Sequence, residues 1–182
     1  MRILCVAMAM LMLFCVVSCD KKDDDKDQPT TPEKTVTVNA PAGYAVYKNA
    51  DIGFAYPETW EKEEASTVIM TASNGNNITL AYEDKNDTYA NMSLSEVKEM
   101  MDMIASMMGG TASNVTTQKV TNGNGVSIVK MGYTLALSGG ITMDQTMFIT
   151  NAGAKTYIVT VTEVVAADDI VTAVFNSIAV AA

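Results

Sequence analysis

The chain has 182 residues, 48% of them hydrophobic, with 12 Lys and Arg against 21 Asp and Glu and no histidine. A net charge of −9 with no basic stripe argues against nucleic acid as a partner, since phosphate binding needs clustered Lys and Arg. The missing histidine removes the commonest general base, the usual hydrolase triads and most zinc sites. No catalytic residue, cofactor or metal site is therefore expected, and the protein reads as a non-enzyme.

Arg2 is followed by an apolar run over residues 3–17 and by small Ser18 before Cys19, the order a lipoprotein-type signal peptidase requires. The run falls short of the roughly 18 apolar residues of a spanning helix. Residues 1–18 are thus expected to be a lipoprotein signal peptide. Its removal takes Cys5 and Cys15, leaving Cys19 at the new N-terminus for lipid attachment, palmitate included, and a net charge of −10. The predicted partner is a membrane, held through the lipid anchor at Cys19. The predicted location is the bacterial cell envelope, as an outer-membrane lipoprotein, with cell-surface exposure as a further expectation.

Residues 19–34 carry the lipidated cysteine and a charged, proline-containing tether with no apolar residue to join a core. Fully extended, its 15 residues after Cys19 would span roughly 50 Å at about 3.3 Å each. Residues 20–25, Asp-Lys-Lys-Asp-Asp-Asp, resemble the lysine-and-aspartate export signal of surface lipoproteins in Bacteroides-type bacteria. A solvated spacer would account for the same composition.

Residues 35–182 suffice for a single domain that buries on the order of 70% of its unfolded surface. The alternation Thr35-Val36-Thr37-Val38 predicts a first strand, and residues 44–48 a second. After a turn at Asn49-Ala50-Asp51, Phe54 and Tyr56 share one face of a strand that Pro57 ends by removing a donor; Trp60 then folds back over the core.

An asparagine turn, a strand carrying Gly53, Phe54 and Pro57, and Trp60 three residues beyond the proline resemble the PsbP-like and DcrB-like domains of many small envelope lipoproteins. The resemblance runs from about Tyr44 to Val180. It implies an α+β class: an α-β-α sandwich with a mainly antiparallel sheet flanked by helices. Members of the family differ in role, photosystem assembly and binding of a small GTPase among them, so it implies no single function.

Strands are predicted over residues 67–71 and 77–83, the latter with Ile78, Leu80 and Tyr82 inward. The polar stretch to Asn91 is a loop. Its spacing Asp84, Asn86, Thr88 has a passing likeness to a calcium loop, but Tyr89 and Ser95 replace the required glycine and glutamate. Ser93-Leu94-Ser95-Glu96 is a capping box opening a helix to about Met108, stopped by Gly109-Gly110.

Leu94, Val97, Met101, Ile104 and Met108 form the helix stripe expected to face the sheet. Met100, Met103 and Met107 form a second stripe. Three readings compete for it: a wider buried face, an adaptable surface for an envelope protein partner, or soft copper(I) ligation, which lacks a supporting histidine or free cysteine.

Past Gly110, a strand over residues 112–120 turns at Asn122-Gly123-Asn124-Gly125 into another with Val129, Met131, Tyr133, Leu135 and Leu137 on one face and a bulge at Gly132. Strands over residues 141–150 and 155–164 complete a three-stranded meander. Asp168 or Asp169 caps a last helix that packs Ile170, Val171, Val174, Phe175 and Ile178 inward. These features predict a membrane-anchored, non-enzymatic binding or assembly module, with a small-ligand or cation carrier as the alternative, which would need a concave pocket.

Overall fold

The computed structural model describes residues 35–65 and 67–181. The expected signal peptide, the expected lipidation at Cys19 and the expected tether lie outside the described residues.

Strands β1 (Tyr44–Lys48) and β2 (Ile52–Pro57) form a hairpin. Its turn is set by Asn49, whose Oδ1 accepts the amides of Asp51 and Ile52, each at 2.9 Å. The far edge of β2 is closed by the last strand, β10 (Ala179–Val180), which pairs with Gly53 and Ile52. Where that short strand stops, a side chain takes over: Ser177 Oγ accepts the Ala55 amide at 2.8 Å. Both sides of β2 are covered, so Ile52, Phe54, Ala55 and Tyr56 are all buried.

The strand expected at residues 35–38 does not form. Val36 is buried and Val38 half-buried, so the apolar alternation is used for packing. Val38 lies over Gly53, where a Cβ would stand 2.6 Å from Val38 Cγ2 and 2.9 Å from the Tyr47 carbonyl oxygen.

The larger sheet has seven strands in the order β3-β4-β5-β9-β8-β7-β6. They are β3 (Glu61–Glu64), β4 (Val68–Thr71), β5 (Asn77–Asp84), β6 (Gly110–Thr121), β7 (Ser127–Leu137), β8 (Thr142–Ala152) and β9 (Lys155–Glu163). Every neighbouring pair is antiparallel, so the meander runs through four consecutive strands, β6 to β9. Strand β3 was not legible in the sequence. Its residues Glu61-Lys62-Glu63-Glu64 are all exposed and poor strand formers, yet at a sheet edge their charges discourage further pairing.

The bulge falls on β6, where the register shifts between Ser113 and Thr116 and Asn114 takes φ 52°, rather than at Gly132. Gly132 lies opposite Thr116 on the facing strand. Tyr82 is another departure: it is 48% exposed instead of inward, tilted against Tyr157 with Lys155 Nζ 4.0 Å above its ring.

Helix α1 (Leu94–Met107) opens with the expected capping box, Ser93 Oγ accepting the Glu96 amide and Glu96 Oε2 accepting the Ser93 amide at 2.7 Å. It ends at Gly109, whose φ of +72° turns the chain into β6. Helix α2 (Asp168–Ser177) is not capped by either aspartate. Ala167 holds the cap position, and the Glu163 carboxylate accepts its amide at 2.5 Å.

The large sheet separates two apolar clusters, as its period-two alternation requires. Phe148 faces one side with Ile78, Val159, α2 and the small sheet. Its neighbours Met147 and Ile149 face the other, under α1. On that second side Val97, Met101 and Ala105 are completely buried, the Val and Met side chains each contributing about 1.5–3 kcal/mol. Among the described residues, two α-helices, a seven-stranded antiparallel sheet and a three-stranded sheet make the α+β architecture that the sequence predicts.

Candidate functional site

The capping box fixes where α1 begins, and the buried line Val97, Met101, Ala105 shows which face it lays on the sheet. Leu94, expected inward, is 55% exposed because it sits in the first turn ahead of that line. Of the second stripe, Met100 is half-buried and packs with Ile104 and Met108 against the cluster under the helix. Met103 and Met107 stand out at 65% and 55% exposure.

Spacings of three and four residues put Met100, Met103 and Met107 in one continuous ridge. Around the ridge the surface is polar, with exposed Glu96 and Glu99 and with Lys98 paired to Asp102 at 2.6 Å. Ser93 hydrogen bonds, backbone first, hold the Glu96 carboxyl below its ordinary value, so this rim is anionic at neutral pH.

The fold-signature residues are brought together and act structurally. Gly53 admits Val38, Phe54 is fully buried, Pro57 ends β2, and Trp60 packs against the first cluster. Sequence reasoning missed a second role for Trp60. With Thr59 and Glu61 it forms one wall of a cleft of about 450 Å³, facing Thr71 at the end of β4 and Ser73 and Asn74 of the β4–β5 turn. A smaller cleft of about 270 Å³ lies between Tyr89, Ser127, Thr150 and Asn151.

Among the described residues no three His, Cys, Asp or Glu side chains converge as a metal site would need. Several buried hydroxyls and acids are engaged with the protein. Tyr133 donates to Gln145, which passes a hydrogen bond to Thr162 at 3.3 Å; burial pushes the Tyr133 phenol up to about 12. Tyr157 donates to Asp51 Oδ2 at 2.6 Å, and burial, then that bond, raise its pKa. Glu163 is raised by burial, opposed by the Ala167 amide, but it lines neither cleft.

No protein-family model matches this sequence, and no curated protein does either. Among solved structures, cyanobacterial PsbP (CyanoP) from Synechocystis matches with a TM-score of 0.57 at 14% identity, covering 82% of this chain and 99% of that one. The fold is PsbP-like. Two further structures align below a TM-score of 0.5. LpqN of Mycobacterium tuberculosis, a protein involved in cell envelope biogenesis, scores 0.47 at 14% identity over 82% of this chain and 91% of its own. A Bacteroides thetaiotaomicron protein scores 0.46 at 11% identity over 80% of this chain and 48% of its own. At those scores neither adds to the assignment of the PsbP-like fold. The likeness to DcrB-like domains continues to rest on the motif from Gly53 to Trp60.

Proposed function

We propose that this chain is a lipoprotein of the bacterial cell envelope, anchored through Cys19, whose single PsbP-like domain is a non-enzymatic binding or assembly module. The exposure of Met103 and Met107 on an otherwise amphipathic helix supports this reading. Burying two long apolar side chains against a partner would contribute about 1.5–3 kcal/mol each, and the unbranched thioether adapts to irregular partner surfaces. The partner in this reading is another envelope protein, with a face that is apolar at its centre and basic at its rim to meet Glu96 and Glu99.

The test uses the full lipidated chain in intact cells. Photo-crosslinking from position 103 should capture one defined envelope protein. Met103→Lys with Met107→Lys should abolish that product while leaving the melting temperature unchanged. A product that persists in the double variant would exclude this surface. Failure of palmitate labelling to mark the wild type but not Cys19→Ala would exclude the anchor.

A further inference from the structure

The cleft beside Trp60 brings one aromatic ring together with several polar side chains. It sits at the β3–β4 end of the large sheet, opposite in strand order to β6, over which α1 packs. It is therefore independent of the methionine ridge. Its volume of about 450 Å³ falls within the roughly 300–1,000 Å³ of small-molecule sites.

Both walls are fixed in place. Pairing of Glu61 with Thr71 ties one to the other. Behind the turn, buried Asn76 accepts the amides of Val164 and Val165, both at 2.9 Å, and donates to the Val165 carbonyl at 2.8 Å. A ligand would meet a preformed surface.

The lining pairs one aromatic ring with a rim of unused polar groups. Trp60 packs partly against the core and partly walls the cleft. Among the described residues, no side-chain hydrogen bond engages its indole N–H, the hydroxyls of Thr59, Thr71 and Ser73, the Glu61 carboxylate or the Asn74 side-chain N–H. Each is a donor or acceptor open to a ligand. No Lys or Arg lines the cleft, and Glu61 repels anions, which disfavours phosphates and carboxylates. A purely apolar ligand would leave that polar rim unpaired.

We infer that this cleft is a binding site for a neutral saccharide, one sugar ring laying its C–H face on the Trp60 indole while its hydroxyls meet Glu61, Thr71, Ser73 and Asn74. An edge that opens to solvent suits a residue within a longer glycan as well as a free sugar.

Trp60 is the chain's single tryptophan, so its emission reports on this cleft alone. Full-length protein titrated with neutral gluco-, manno- and xylo-oligosaccharides should show a saturable change in tryptophan fluorescence with at least one of them, matched by heat in calorimetry. Glu61→Gln combined with Ser73→Ala, both exposed and outside the core, should weaken that binding about tenfold or more with an unchanged melting temperature. Trp60→Ala should abolish the calorimetric signal. No saturable response to any neutral saccharide, a response only to sialylated or sulfated sugars or to proline-rich peptides, or full affinity in the Glu61/Ser73 variant would overturn the assignment.

Discussion

Asn122, in the β6–β7 turn, donates its side-chain amide to the carbonyls of Phe175 and Ile178 at 2.9 and 2.8 Å, fastening the hairpin to the end of α2. Its Oδ1 accepts the amides of Asn124 and Val126, both at 3.1 Å, so the group is fully satisfied while only 6% exposed. Asn122→Asp would remove both donors and set a carboxylate against two carbonyl oxygens. The Phe175 carbonyl would lose its partner while that of Ile178 keeps the Asn124 amide at 3.0 Å, so the expected loss is about 1–3 kcal/mol. Asn124 makes similar bonds from an exposed position, and Asn124→Ala should cost no more than about 1 kcal/mol. Urea denaturation of the full chain measures both, and equal effects would contradict this division of labour.

Gly53 and Gly132 both sit in strands, yet they should tolerate a methyl group differently. At Gly53 the added Cβ would meet backbone, the Tyr47 carbonyl oxygen at 2.9 Å, as well as Val38 Cγ2. Gly53→Ala is expected to cost about 1–3 kcal/mol, and trimming Val38 to Ala should recover only part of it because the carbonyl stays. At Gly132 the obstacle is Thr116 Oγ1 at 2.9 Å, on an exposed side chain that can rotate away from its long 3.4 Å bond to the Gly132 carbonyl. Gly132→Ala should cost about 1 kcal/mol or less, and Thr116→Ala in the same chain should cancel it. A double-mutant cycle decides; a larger penalty at Gly132 than at Gly53 would reverse the argument.

These glycines also show where the sequence was legible. Local signals are legible where the chemistry lies within a few residues: the Ser93–Glu96 capping box, the Asn122–Gly125 turn, the alternation of Val129, Met131, Tyr133 and Leu135, and the Pro57 stop. Long-range choices were not visible. Whether Val36 and Val38 pair or merely pack depends on β2, which already has β1 on one edge and β10 with Ser177 on the other. The charged strand β3 exists because an edge needs only one paired side. Trp60 was recognised as a core residue, but its cleft needed the β4–β5 turn brought alongside. The exposed methionines were legible as a stripe, while the phase that buries Ala105 and frees Leu94 was set by the sheet beneath.

Glu163 is the last case, and it makes stability depend on pH. Burial dominates its environment and raises its pKa above the ordinary 4.5; the Ala167 amide works against this, and Asp168, Asp144 and Asp169 add to it. The folded chain therefore binds this proton more tightly than the unfolded chain. The resulting stabilisation is fully present below the unfolded value and is lost as pH rises through the folded one. Glu163→Gln keeps an oxygen for the Ala167 amide and removes the titration. Its stability should match the wild type near pH 4 and exceed it increasingly toward pH 7. Glu163→Ala removes the acceptor as well, and loss of this substitute cap should lower stability by about 1 kcal/mol near pH 4. Thermal unfolding of the three proteins across that range separates the charge from the hydrogen bond. Parallel curves for wild type and Glu163→Gln would show that the carboxyl does not titrate differently on folding.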